Sequence, residues 1–473
     1  MNRYITFILL AFGLLLLSCN DDEKFSTSTA DKLTFSSDII SLDTVFSTIP
    51  SSTKSFWVYN NNHEGIKCNS VRLESGNQTG FRVNVNGLYL NSTNGYRAND
   101  VMLYHGDSLR VFVEITSPVN GESQPKIISD NLIFELQSGV EQKLKLQAWS
   151  WDATKISSLH VYNDTTIGSG GKPILISDGI RIAEGAVLNI AAGTTLYFDS
   201  NAGIDVYGRL NIVGSSNNNV VIRGSRLDIM FSYLPYDRMS GQWKGIHFYE
   251  SSYNNSIKYC DIHSAYNGIV CDSSDIDKTK LCLEESTIHN CQGFGLQSVN
   301  SNIVVLNSQI TNTLNNCIYI DGGNALINAC TVAQFYPFDS NRRSAFCFLS
   351  KHPLKSMSVL NSIITGYADD QLDGLKSENN AFNYDFNHCV IRTPVVTTSD
   401  SIYFKNIIYE STVNAETVGK NHFHIIDADN QYYDFHLADK SAAIDKANKV
   451  TAPTLDRNGK SRIGIPDVGA YEY

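Results

Sequence analysis

The stretch from Ile174 to Gly224 limits what this chain can fold into. It breaks into short runs, ILISDG, IRIAEG, AVLNIAAG, TTLYFDSNAG, IDVYG, RLNIVG and NNNVVIRG, each closed by a glycine. Within each run apolar and polar residues alternate, the pattern of a strand with one buried face. The closing glycines suit turns that need positive φ. No run is long enough for a helix. Ile182, Ile190, Phe198 and Val206 fall eight residues apart, so three such strands make a lap of 24. A hairpin sheet needs no fixed lap, whereas a solenoid does.

The lap returns downstream. YCDI, ESTI, NSQI, ACTV, NSII and HCVI end at Ile262, Ile288, Ile310, Val332, Ile364 and Ile391, with spacings of 26, 22, 22, 32 and 27 residues. A second column keeps step: Gly268-Ile269, Gly295-Leu296, Cys317-Ile318, Ala345-Phe346 and Gly374-Leu375. The expected fold is all-β, a parallel β-helix over residues 153–437 with like residues stacked at ~4.8 Å. Right-handed winding is expected of parallel β crossovers.

Residues 32–152 have another texture. Phe56/Val58, Phe81/Val83/Val85, Leu109/Val111/Val113/Ile115, Leu132/Phe134/Leu136 and Leu144/Leu146 alternate over longer strands. Roughly seven strands between turn clusters suggest an immunoglobulin-like β-sandwich. Residues 438–473 form a C-terminal capping module, expected over the open end of the coil.

GAVLNIAAGTTLYF, GRLNIVGSSNNNVVIRG, GQWKGIHF and NSIKYCDIHSAYNGI together resemble the right-handed parallel β-helix repeat surface lipoproteins of Bacteroidota. The ending FHLADKSAAIDKANK…DRNGKSRIGIPDVGAYEY resembles their C-terminal module with its Asp-x-Gly-Ala-Tyr-Glu close, although Ala442 stands where proline is usual. The resemblance covers roughly residues 160–473. It speaks to fold more than activity, because such coils carry lyases and binding proteins alike.

The N-terminus reads as an address. Arg3, the apolar run 5–17 and Leu16-Leu17-Ser18-Cys19 look like a lipoprotein signal peptide over 1–18, with Cys19 as the lipidated residue. An uncleaved anchor helix is the alternative. Asn20-Asp21-Asp22-Glu23 resembles the Bacteroidota signal for export to the outer face of the outer membrane, and 19–31 is a tether. The net charge of −11 argues against a nucleic-acid partner. Besides Cys19 there are nine cysteines, scattered and without a Cys-x-x-Cys pair. Cys260, Cys330 and Cys389 share a repeat position with Ser286, Ser308 and Ser362, so they read as small buried thiols.

Catalytic signatures are thin. A hydrolase of the polygalacturonase kind would need clustered aspartates and a Gly-His-Gly, which the sequence lacks. A polysaccharide lyase acting on a uronate needs a basic residue and charge neutralisation. Asp369, Asp370, Asp373 and Lys376 are the candidates, and solvated turn residues are the plainer reading. Asp272, Asp275 and Asp277 offer oxygens to calcium or form an ordinary acidic turn. His422 and His424, near Asp427 and His436, are a further candidate pair for a metal. Trp243 is read as core rather than as a sugar platform.

Two insertions, at 226–242 and 333–344, join rings to guanidinium groups: Phe231, Tyr233, Tyr236 and Arg238, then Phe335, Tyr336, Phe338, Arg342 and Arg343. Such sets stack on sugars and bond their hydroxyls or carboxylates. Lap counting separates the insertions by about four laps, on the order of 20 Å, so they either bracket a glycan groove or fold back as a lid. The expected function is glycan binding by a lipid-anchored surface protein. A polysaccharide lyase and a structural or adhesive rod are the alternatives.

Overall fold

Alternation places every second side chain of a strand on one face, and between residues 24 and 152 it builds two five-stranded sheets around one core. The computed structural model describes residues 24–168, 170–410 and 419–473. Cys19 and the acidic run that follows it lie outside them. One sheet orders Thr34–Phe35, Lys54–Tyr59, Ser108–Ile115, Phe81–Val85 and Leu88–Tyr89. The other orders Ile39–Phe46, Glu141–Trp151, Lys126–Leu136, Ile66–Leu73 and Arg97–Leu103. All pairings are antiparallel except that of Ile39–Phe46 with Glu141–Trp151. Every apolar residue singled out by alternation, from Phe56 to Leu146, is buried.

Residues 153–473 form a second unit, built on a 25-stranded sheet in which strands pair in parallel, lap upon lap. Its strands fall into three columns. The first contains Cys260–His263, Thr287–Cys291, Gln309–Thr313, Thr331–Gln334, Ile363–Gly366 and Val390–Ile391. Ile262, Ile288, Ile310, Val332, Ile364 and Ile391 are register partners in that order, and all are buried. The 24-residue lap appears in the pairing of Ile182 with Val206. In the second column one expected partner differs: Phe346 lies beside Leu372, while Leu375 is 62% exposed. Leu372 follows Ile364 by eight residues, as Leu296 follows Ile288 and Ile318 follows Ile310, so it is the glycine at 374 that is out of step, and counting from it misplaces the lap by three residues. Among the described residues no helix is long and apolar enough to cross a membrane.

One corner of the coil has a fixed device. Tyr259, Glu285, Asn307, Ala329, Asn361 and His388 precede successive first-column strands, and all have positive φ. None is glycine, so each position carries steric cost that its surroundings must offset. The next residue is always Cys or Ser. Ser286, Ser308 and Ser362 donate to the carbonyl two residues back, and the thiols of Cys330 and Cys389 do the same. Ser308 Oγ and Ser362 Oγ also accept from the backbone N–H of Ser286 and Cys330, one lap below. The column therefore selects a small side chain with a polar tip, which explains why Cys and Ser interchange. All nine cysteines here are free, and only Cys282 is not fully buried.

One outward row of the first column starts at Asp261 and continues as Thr287, Gln309, Thr331, Ile363 and Val390, an uncharged stretch that needs cover. Residues 438–473 supply it. They run along the flank of the coil from Asn361 back to Asn219, which differs from the expected cover over its open end. Asn448 N–H donates to Asn361, Ala470 N–H to Thr331 Oγ1, Tyr471 to Gln309, and Arg457 to Thr287 and Asn219. Ala333, Ile363 and Val390 pack there with Phe435, Leu437, Val468 and Tyr471.

Ile310→Asp would bury an unpaired carboxylate inside the coil and is expected to cost roughly 4 kcal/mol or more. Cys330→Ser follows the chemistry of its own column and should cost less than about 1.5 kcal/mol. Urea unfolding of the two variants measures both.

Candidate functional site

The insertion after Ile222 folds onto the outer surface of the first column. It forms the short antiparallel pair Ile229–Phe231 and Leu234–Pro235, then a 3-10 turn, Tyr236–Arg238. Arg226 is bidentate to Asp228 and lies 3.5 Å over the Tyr236 ring, which stiffens the loop. The turn aims Asp237 at the coil. Its carboxylate pairs with Arg223 and with His263 Nε2 at 3.0 Å, and Ser264 Oγ donates to its backbone carbonyl.

His263 and His289 are register partners on adjacent laps, so their rings stack with centroids 4.7 Å apart. Asp261, two residues before His263 and on the same face, places Oδ1 2.9 Å from His263 Nδ1 and 3.1 Å from His289 Nε2. Burial pushes the Asp261 carboxyl up, but the two imidazoles outweigh it and hold the group well below the usual carboxylate range. Burial likewise opposes the charge of Asp237, and the His263 hydrogen bond and Arg223 bring it down. For His263 burial works against protonation, and Asp261 and Asp237 reverse that, raising it to about 9. The unit is a chain of facing polar groups, Arg223–Asp237–His263–Asp261–His289, with His263 buried and His289 half-buried.

A cleft of about 210 Å³ opens beside this chain. One wall is Asp237 and Arg238. The floor is Thr287, His289, Asn290, Gln309, Thr311 and Asn312, from the outer face and corner of two laps. The opposite wall is Tyr432 and Tyr433 from the hairpin Phe423–Asp427 and Tyr432–Leu437. Arg238 ties the walls together, donating to the Asn430 carbonyl at 2.7 Å and lying over Tyr432. Asn290 and Asn312 both have positive φ at the corner. Asn312 is 1% exposed, and its Oδ1 has no hydrogen-bond partner. A buried acceptor left so costs free energy.

The residues expected to bind or react are dispersed. Phe335 is buried beneath Phe423 and Phe435, edge-on to Tyr367. Tyr336 is buried and hydrogen-bonds Ser240 at 2.8 Å, so the two insertions touch instead of standing 20 Å apart. Arg342 bonds the carbonyls of Tyr336 and Asp339 and covers the Tyr367 ring, and Arg343 is exposed. The second insertion is thus a lid. In the first, Tyr233 is exposed and stacked on Phe231, Tyr236 lines a second cleft of about 680 Å³ beside Asp178, Asp199 and Asn201, and Arg238 reaches the first. Trp243 is core, stacked on Phe198 and donating to the His263 carbonyl.

Asp369 pairs with the buried Arg392, Asp370 caps Leu372 N–H, Asp373 accepts from Ser344, and Lys376 is exposed. They form no shared centre. Asp272 turns to His247 and Asp275 to Lys278 and Asp277 N–H, and Asp277 is exposed, so these carboxylates do not converge. His422 pairs with Glu410 and His424 with Asp434, away from one another. Among the described residues the one cluster with metal-ligating groups in reach of each other is Asp261, His263 and His289. Sequence reasoning passed over it. The signal was there: the residue after Ile262 and the residue after Ile288 are both histidine.

No protein-family model matches the chain, and no curated protein does. Seventeen solved chains match. One is the ASH / PapD-like domain of human CEP192 (PapD-like domain 7), which aligns over 28% of this chain and 91% of its own length, at 11% identity and a TM-score of 0.17.

Arg457 anchors the C-terminal segment beside the cleft floor through Thr287 and Asn219. Arg457→Ala is expected to remove about 2 kcal/mol of docking and to make the chain beyond residue 437 the first site of nicking in limited proteolysis.

Proposed function

We propose that this protein binds a glycan, through the cleft between the turn Tyr236–Arg238, the outer face of the coil and the C-terminal hairpin. The observation that carries the reading is the polar floor of the cleft, where Asn312, whose Oδ1 has no protein partner, lies among other uncharged hydrogen-bonding side chains. Thr287, Gln309, Thr311 and Asn290 surround it, and Tyr432 forms a ring-bearing wall. Sugar hydroxyls supply donors at that density, and a sugar's C–H face suits a tyrosine ring. At about 210 Å³ the cleft is below the roughly 300–1,000 Å³ of drug-sized pockets, so it takes one sugar unit, an end or a branch, and not a chain. In this reading the coil is right-handed and the N-terminal sheets are an immunoglobulin-like sandwich serving as a spacer. Cys19 carries lipid, which holds the protein on the outer membrane facing outward.

Tyr432→Ala and Asn312→Ala are each expected to weaken retention on a glycan array or affinity gel by about 1 kcal/mol or more, with the melting temperature nearly unchanged for the exposed Tyr432 and lowered for Asn312, whose positive φ disfavours alanine. Equal retention by both variants would remove the cleft from the function. Release of unsaturated sugar products, followed by ultraviolet absorbance, would place the protein with the lyases instead. For the address, Cys19→Ala should abolish incorporation of labelled palmitate, and persistence of label would end the lipoprotein reading.

A further inference from the structure

We infer that Asp261, His263 and His289 bind one divalent transition-metal ion of the zinc class, with an open coordination position facing the cleft. The inference stands apart from the glycan reading. It rests on how three ligand atoms converge and on what fixes their orientation.

Asp261 Oδ1 faces His263 Nδ1 at 2.9 Å and His289 Nε2 at 3.1 Å, and all three atoms lie within 4.8 Å of one another. Ligands about 2.1 Å from a shared tetrahedral zinc stand roughly 3.4 Å apart, so the two edges at Asp261 need to open by only a few tenths of an ångström to admit a cation. The far side of His263 is already committed. Its Nε2 faces Asp237 Oδ1 at 3.0 Å, and Arg223 holds that carboxylate. A carboxylate on Nε2 keeps a proton on that nitrogen, so the proton that Nδ1 shares with Asp261 is the one a metal ion would displace from the shared space. This is the outer-shell arrangement that orients metal-ligating histidines. The backbone adds rigidity, because His263 and His289 are register partners on neighbouring strands and their rings stack.

Ligand chemistry selects the ion. Two imidazole nitrogens and one carboxylate suit zinc, copper or nickel, whereas calcium and magnesium take shells of oxygens. Three protein ligands leave a fourth position for water or a ligand oxygen. His289 is the member that lines the 210 Å³ cleft, so that position lies on the cleft side.

The test is zinc retention by the metal-stripped full chain, supplied with zinc chloride, desalted and analysed by elemental mass spectrometry. One zinc per chain and a higher melting temperature are expected, since a ligand that binds only the folded state stabilises it. Cobalt(II) in its place should give visible d–d bands. His289→Ala, at a half-buried position where the fold is tolerant, and Asp261→Asn should each lower affinity at least about tenfold. His436→Ala is the control. His424 and His436 both face Asp434 on the hairpin, and this variant should bind as the parent does. Zinc well below one per chain, zinc kept equally by His289→Ala and Asp261→Asn, or zinc lost in His436→Ala would each overturn the assignment. Circular dichroism of each variant without metal separates lost binding from lost folding.

Discussion

The backbone of each lap in the second unit is satisfied by the laps above and below it. That requirement governs the rest of the unit. Parallel pairing at fixed register puts Ile288 under Ile310 and Ile310 under Val332. Each inward residue therefore has a like residue as floor and ceiling. Extra chain has nowhere to go but outward, and both long insertions leave the coil between strands without shifting that ladder. The corner residues with positive φ follow from the same constraint. The turn before a first-column strand must repeat on every lap, so its strained geometry is held by a repeated Cys or Ser that ties one lap to the next.

Outside the coil the three columns part company. The first carries an outer row that is uncharged from Thr287 to Val390, on which the C-terminal segment settles, while the first insertion settles beside His263. Where their edges fail to meet, polar side chains of two laps remain accessible and form the floor of the cleft. The chain of polar groups from Arg223 to His289 lies at that seam. Asp237, His263 and Asp261 tolerate burial there because each faces a partner of opposite sign.

The repeat was the most legible part of the sequence, because inward residues in a parallel coil obey a simple period. The six-membered column from Ile262 to Ile391 was readable in full. The second column failed at Leu375, where glycine was used as a marker although the lap turns elsewhere. Alternation likewise found the buried faces between Phe56 and Leu146, but not Ile39–Phe46, whose polar Ser41, Asp43 and Thr44 blur the pattern. The site was less legible. Rings and guanidinium groups in a loop suggest a sugar surface, yet Phe335 and Tyr336 bury themselves, since the flank offered apolar cover that no local pattern announces. The Asp261–His263–His289 cluster joins residues separated by a whole lap and becomes visible once the repeats are aligned for their outward positions as well as their inward ones.

The buried cysteines of the coil bear on how the chain must mature. Folded, its thiols are sealed: burial pushes Cys271, Cys317, Cys330 and Cys389 up to about 12, so almost none is present as thiolate. Unfolded, nine thiols regain their ordinary acidity with no native disulfide to guide them. In an oxidising medium every random bridge would join strands that the ladder needs free. The coil must therefore close before its cysteines oxidise, and an excursion to the unfolded state under oxidising conditions becomes a one-way step.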